Sequence, residues 1–102
     1  MRRRRLVVSK QALNDLLVAY NYISQFNPLA ARRLLDDINQ KMASMAKTGI
    51  SGVPRDHYPG LRAFPYRQRC IYFVIDKTKL TVLRVLHGYQ DISDINFTQE
   101  EN

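Results

Sequence analysis

The segment Arg69-Cys70-Ile71-Tyr72-Phe73-Val74-Ile75, followed by Asp76-Lys77-Thr78-Lys79 and then Leu80-Thr81-Val82-Leu83-Arg84-Val85-Leu86-His87, carries the fold class of this chain. Its two outer runs are rich in β-branched and aromatic residues, which suit a pleated, packed surface, and the polar residues between them read as a hairpin connection. A third run of this kind lies at 61–64. Pro65 follows it; proline cannot donate to a sheet ladder, so it marks a strand end, a bulge or an edge. Residues 49–60 contain Gly49, Gly52, Pro54, Pro59 and Gly60 and read as a loop.

Toward the N-terminus the period changes. Ala12, Leu16, Ala19 (or Tyr20) and Ile23 recur at steps of three and four, one face of an amphipathic helix. Ser9 suits its N-cap, and Asp15 sits early in it, where the helix dipole favours negative charge. Asn27-Pro28 starts a second helix, because asparagine caps and proline loses no hydrogen bond at the first helical position. Ala31, Leu34, Leu35, Ile38, Met42 and Met45 then share a face, with Arg32, Arg33, Asp36, Asp37 and Gln40 opposite. Gly49 accepts the left-handed conformation that ends a helix. The short link at 24–27 makes the pair an antiparallel hairpin. Arg5-Leu6-Val7-Val8 reads as a further strand. The expected fold is therefore α+β, in the order β-α-α-β-β-β. A two-helix antiparallel hairpin covers one face of a small, mostly antiparallel four-stranded sheet, and the other face is expected to be partly open to solvent.

With 102 residues the chain suits one domain over 1–102, flanked internally by a basic leader at 1–5 and a C-terminal extension at 92–102. Hydrophobic residues at 45% and charged residues at 25% exclude the disordered class. No apolar stretch is long enough to span a bilayer, and the run Leu6-Val7-Val8 is too short for a signal peptide, so a cytoplasmic protein is expected. The lone Cys70 forms no internal disulfide and no metal site, it reads as a small buried apolar residue, and no cofactor is implied. The net charge of +7 is uneven: residues 1–8 contribute +4 and residues 92–102 contribute −3. The arginines at 2–5 suit either a phosphate-binding arm or a solvated leader. Within predicted structure, Arg62, Arg67, Arg69 and Arg84 form a second basic group.

Pro59-Gly60-Leu61-Arg62, Arg69-Cys70-Ile71-Tyr72-Phe73-Val74 and Leu83-Arg84-Val85-Leu86-His87-Gly88-Tyr89-Gln90-Asp91 resemble the ParE toxins of the ParE/RelE superfamily in order and spacing. The helix at Ala12 to Ile23 and the segment Pro28-Leu29-Ala30-Ala31-Arg32-Arg33-Leu34 look like the family's two helices, so the likeness covers about residues 6–91. The resemblance implies a strand, a helix hairpin and a three-stranded meander. It also implies a cognate, ParD-like antitoxin whose C-terminal segment wraps the toxin in a hetero-oligomer. ParE-type members block DNA gyrase, whereas RelE-type members on the same fold cut messenger RNA on the ribosome, and fold alone does not choose between them.

A nuclease needs a base, an acid and cations facing the phosphate. Arg69, Arg84, His87 and Tyr89 would carry that chemistry, with His57 and Tyr58 in the preceding loop. The RelE-type pattern also looks for a lysine pair or a glutamate near that loop, and residues 50–60 contain neither; they offer Arg55 and Asp56. A gyrase inhibitor needs a binding surface instead, with Arg62, Arg67, Arg69, Arg84, His87 and Tyr89 as target- or antitoxin-binding candidates. A non-toxic basic nucleic-acid-binding module is a third reading, supported by the charge but by no recognised motif.

Several of these residues also have a plainer role. Arg62 can pair with Asp56 or Asp91 at a sheet end. Alternation puts Arg84 on the face of Leu80, Val82 and Leu86, opposite Leu83 and Val85; if that face is buried, Arg84 must find a carboxylate or carbonyls. His87-Gly88 can be a simple strand end. Tyr20, Tyr22 and Tyr72 read as packing residues, and Met42 and Met45 as core. Ile92, Ile95 and Phe97 are apolar in an otherwise polar, acidic ending.

Overall fold

A computed structural model of the chain describes residues 3–49, 52–56 and 58–88, together with Ile92, Ile95 and Phe97. Strand β1 (Arg5–Val8) leads through Ser9 into helix α1 (Lys10–Ser24). Helix α2 (Pro28–Thr48) follows, and then strands β2 (Val53–Pro54), β3 (Arg62–Tyr66), β4 (Arg69–Ile75) and β5 (Lys79–His87).

The helix ends follow local chemistry. Ser9 Oγ accepts the Ala12 N–H at 3.0 Å, and Asn27 Oδ1 accepts the Ala30 N–H at 3.1 Å, so each helix start has one orphan donor satisfied. Gly49 closes α2 at φ 82, where a side chain would be strained. The β4–β5 turn is built by Asp76, whose Oδ1 accepts the N–H groups of Thr78 and Lys79, both at 2.8 Å. Those two donors hold the Asp76 carboxyl below its ordinary range. Asp15 lies beyond the first turn of α1, so the helix dipole does not explain it.

Among the described residues the sheet has five strands in the order β1-β5-β4-β3-β2, one more than the four expected. β1 runs parallel to β5, with Leu6 beside Leu80 and Val8 beside Val82, and the other pairings are antiparallel. The added strand is β2, inside the segment expected to be a loop: Val53 pairs with Ala63 and Pro54 with Arg62. Two residues are too few to show an alternation, and Pro54 fits an edge strand because it has no N–H to leave unpaired. Gly52 makes the approach possible. Its φ is 67, and a Cβ there would lie 2.7 Å from the Ala63 carbonyl oxygen and 3.0 Å from the Phe73 ring. Pro65 sits on β3 past the end of β2, where that side of the strand has no β2 partner.

One face of the sheet carries Ile71, Phe73, Leu80, Val82 and Val85 against Ala12 and Leu16 of α1 and Ile38, Met42, Met45 and Ala46 of α2. The opposite face is not open as expected. Leu61, Ala63, Cys70, Tyr72, Leu83 and Leu86 form a second core with Ile92 and Phe97, and Tyr58, Val74 and Ile95 pack at its rim. Phe97 is 2% exposed, with its ring 5.3 Å from that of Tyr72.

The register explains why simple alternation misplaces residues on β5. Tyr72 pairs with Arg84 but Phe73 pairs with Val82, so Leu83 is an extra residue on β5. A bulge of this kind resets the alternation. Leu80, Val82 and Val85 therefore belong to the helix-side core, while Leu83 and Leu86 belong to the other. No helix among the described residues is long and apolar enough to cross a membrane.

Candidate functional site

The basic residues divide into those the fold consumes and those it presents. Arg84 is consumed. Its Nε and NH2 donate to the two carboxylate oxygens of Asp15, each at 2.8 Å, in a bidentate fork. The same Asp15 Oδ2 also accepts the Val85 N–H at 3.0 Å. Both side chains are largely buried, at 21% and 10% exposure, so the pair satisfies charges that would otherwise be costly. The hydrogen bond to Asp15 pushes the Arg84 guanidinium above its ordinary value. Arg84 thus has the carboxylate that burial demands, and α1 is pinned to the edge of β5 beyond β1. Ser9 completes that edge by donating its hydroxyl to the Leu83 carbonyl at 2.8 Å. Arg4 is also tied down, donating its Nε to the Asp76 carbonyl at 2.7 Å. The basic leader is therefore part of the fold from Arg4 onward.

Arg67 and Arg69 are presented. The β3–β4 connection is Arg67-Gln68, and Gly88 donates its N–H to the Gln68 carbonyl, tying the end of β5 to this turn. Together with Arg55 from the segment after β2, Arg67 and Arg69 line a cleft of about 250 Å³ whose other walls include Pro65, Tyr72 and Gly88. Cys70 also lines it; burial pushes its thiol up, and burial chiefly raises the Tyr72 hydroxyl to about 12. Both groups are neutral near pH 7, so the charge of the cleft is that of its arginines. A buried neutral thiol is also a poor nucleophile. Arg67 is additionally held from the helix side by Asp37 at 3.0 Å and lies 5.4 Å from the Tyr66 ring centre. The Tyr66 hydroxyl, and then Asp37, favour its charged form.

The remaining predicted residues are spread out. Arg69 and His87 are register partners at the ends of β4 and β5, and both border a second hollow of about 320 Å³ beside Val18 and Tyr22 of α1. Arg62 begins β3 opposite Phe73 and lines neither hollow. Tyr89 and His57 lie outside the described residues, as does Asp91, one of the partners suggested for Arg62. The four residues of the nuclease reading are therefore not seen as one set: Arg69 and His87 adjoin, and Arg84 is turned to α1. Among the described residues, no group of three or more His, Cys, Asp or Glu is placed to hold a metal ion.

Sequence reasoning missed a second surface. Leu13, Leu17, Val18, Tyr22, Phe26 and Leu29 are all more than half exposed, and all lie on α1, on the link that follows it or at the start of α2. Tyr22, expected to pack, is 62% exposed and meets the Phe26 ring edge-on at 5.5 Å. Leu13 and Leu17 border a groove of about 360 Å³ with Tyr20 and Leu35, whereas Val18 and Tyr22 border the hollow of Arg69 and His87. The signal was available: once Ala12, Leu16 and Ile23 are assigned to the core, Leu13, Leu17 and Val18 are left pointing elsewhere. Exposed apolar side chains bordering a groove, as Leu13 and Leu17 do, suit an interaction surface.

Comparison with known proteins agrees with this fold. A chain described as "Chromosomal ParDE TA system from P. aeruginosa" superposes with a TM-score of 0.70 over 82% of this chain and 95% of that one. At 20% identity, that likeness is one of fold. Among curated proteins, none matches the sequence. The family described as ParE toxin of type II toxin-antitoxin system, parDE, matches residues 6–92, almost the whole folded region, and the chain belongs to that family of toxins.

Proposed function

We propose that this toxin acts in the cytoplasm by binding DNA gyrase rather than by cutting RNA, and that a cognate ParD-like antitoxin neutralises it by covering the apolar face of the helix hairpin. Family membership supports the class of target. The observation that carries the choice against RNA cleavage is the Arg84–Asp15 fork. A guanidinium held by a bidentate carboxylate is not available to a scissile phosphate without breaking that pair. Among the described residues, Arg55, Arg67 and Arg69 at the cleft and His87 at the neighbouring hollow supply charge for binding, which supports the inhibitor reading.

The antitoxin surface is argued from exposure. Leu13 and Leu17 stand four residues apart on one side of α1 and border the groove with Tyr20 and Leu35, and an antitoxin segment with matching apolar residues would bury them. The deciding experiment pairs gyrase supercoiling with messenger RNA cleavage on translating ribosomes. Loss of supercoiling with intact message is expected; cleaved message with normal supercoiling overturns the reading. The double variant Leu13→Glu, Leu17→Glu should lose co-elution with the antitoxin while retaining inhibition, and unchanged co-elution would move the antitoxin to another surface.

A further inference from the structure

We infer that the cleft between the β3–β4 turn and the end of β5 is a phosphodiester site, through which the toxin grips the DNA that its target holds. The inference rests on the gyrase reading only for the identity of that DNA.

Three guanidiniums, from Arg55, Arg67 and Arg69, line a hollow that contains no carboxylate among its described lining residues. Arg55 and Arg69 form no ion pair with a described residue, in contrast to Arg84 and Arg67. The floor offers no compensating negative charge, because the Cys70 thiol and the Tyr72 hydroxyl stay protonated. Such a cavity favours an anion, and the guanidinium fork matches the paired oxygens of a phosphate.

The turn that supplies Arg67 is itself unusual. Arg67 has φ 58, and among the described residues it is the only one other than glycine with positive φ. Arginine in the left-handed region costs on the order of 1 kcal/mol, a position where glycine or asparagine would be strain-free. Strain kept at a charged turn residue points to a use for that side chain. The Gly88 N–H bonded to the Gln68 carbonyl holds the opposite rim against the turn, so the arginines are mounted on paired backbone.

A nucleic acid fits better than an acidic peptide. Peptide docking draws its affinity from apolar anchors, but the aromatic and thiol groups here, Tyr72 and Cys70, are buried at 4% and 5% exposure. Affinity must then come from charge, which is how phosphate backbones are bound. Among the described residues, the exposed large apolar side chains other than Val53 lie on the helix hairpin instead.

The test uses the full chain and a short fluorescein-labelled DNA duplex, without gyrase, titrated between about 50 and about 200 mM salt. The variant Arg55→Gln, Arg69→Gln is compared with Arg32→Gln, Arg33→Gln, which removes the same charge from exposed positions on α2. Loss of at least about ten-fold in affinity, and a log–log salt slope shallower by roughly one to two, is expected for the cleft pair alone. Arg55→Lys, Arg69→Lys should restore most of the slope, which separates lost charge from lost folding. Equal weakening by the two glutamine pairs would overturn the inference, leaving only diffuse charge. So would failure of the wild-type chain to bind duplex, or displacement of duplex by an oligoglutamate peptide at matched ionic strength. If cleft-dependent binding holds while wild-type toxin leaves supercoiling intact, the phosphodiester site stands and the gyrase reading falls.

Discussion

The two faces of the sheet are both apolar, but they are covered differently. On one, 15- and 21-residue helices lay continuous apolar stripes over Ile71, Phe73 and Val82. On the other, Tyr58, Ile92, Ile95 and Phe97 supply single side chains over Tyr72, Leu83 and Leu86. The first cover is made of regular elements whose backbone groups are satisfied internally. Among the described residues, four side chains contribute the second, with Phe97 the most deeply buried of them.

Replacing the central aromatic of each face should separate the two. Phe73→Ala empties a fully enclosed site and should cost about 3–5 kcal/mol in denaturant unfolding. Phe97→Ala should cost less, about 3 kcal/mol at the low end of that range, because Phe73 lies between the sheet and the helices whereas Phe97 packs on the outer side of the sheet. Equal losses would show that the second face is as rigid a core as the first.

The hinge between the faces is the bulge, and Asp15 guards it. Asp15→Ala leaves the Arg84 guanidinium and the Val85 N–H without their acceptor and should destabilise by about 2 kcal/mol, less than for a fully buried pair. Adding Arg84→Leu should recover part of that loss by removing the stranded charge. No recovery would mean that the Val85 N–H, rather than the ion pair, is what Asp15 serves.

The smallest effect is a titration. Tyr72 ionises near 12 when folded, above its ordinary 10.0. A raised value for a group that is neutral when protonated contributes stability that is fully present below pH 10 and is lost as pH rises through about 12. Spectroscopic titration should therefore show the Tyr72 hydroxyl ionising late, and Phe97→Ala should bring it back toward its ordinary value by admitting water. An unchanged late phase in that variant would show that the cover does not depend on Phe97.

Much of the fold was legible because it rests on local signals. Ser9, Asn27-Pro28 and Gly49 mark helix ends by their own chemistry, and Met42 and Met45 fall on the period of α2. The second buried face was legible in principle, since Ile71, Tyr72 and Phe73 are consecutive large apolar residues and consecutive residues point to opposite faces. What period alone could not give was the extra residue at Leu83, because a bulge is visible only in the partner's register. Nor could it give β2, whose two residues are defined by the closeness of Gly52 to Ala63. At the site, the likeness to ParE ranked Arg84 with Arg69. Only the position of Asp15, 69 residues earlier in the chain, shows that one is held and the other offered.

That same separation bears on how the protein comes into being during synthesis. β5 is the shared partner of β1, β4 and α1: it pairs with residues 5–8, and its Leu83 carbonyl and Val85 N–H wait on Ser9 and Asp15. The helix hairpin can form early from neighbouring residues, but β1 and the buried charge of Asp15 have no counterpart until the last strand has left the ribosome. Closure over such a distance is slow relative to local folding. A chain stopped before residue 79 therefore lacks the element that β1, β4 and α1 all need, and the cleft at the end of β5 is assembled only after that strand has been made.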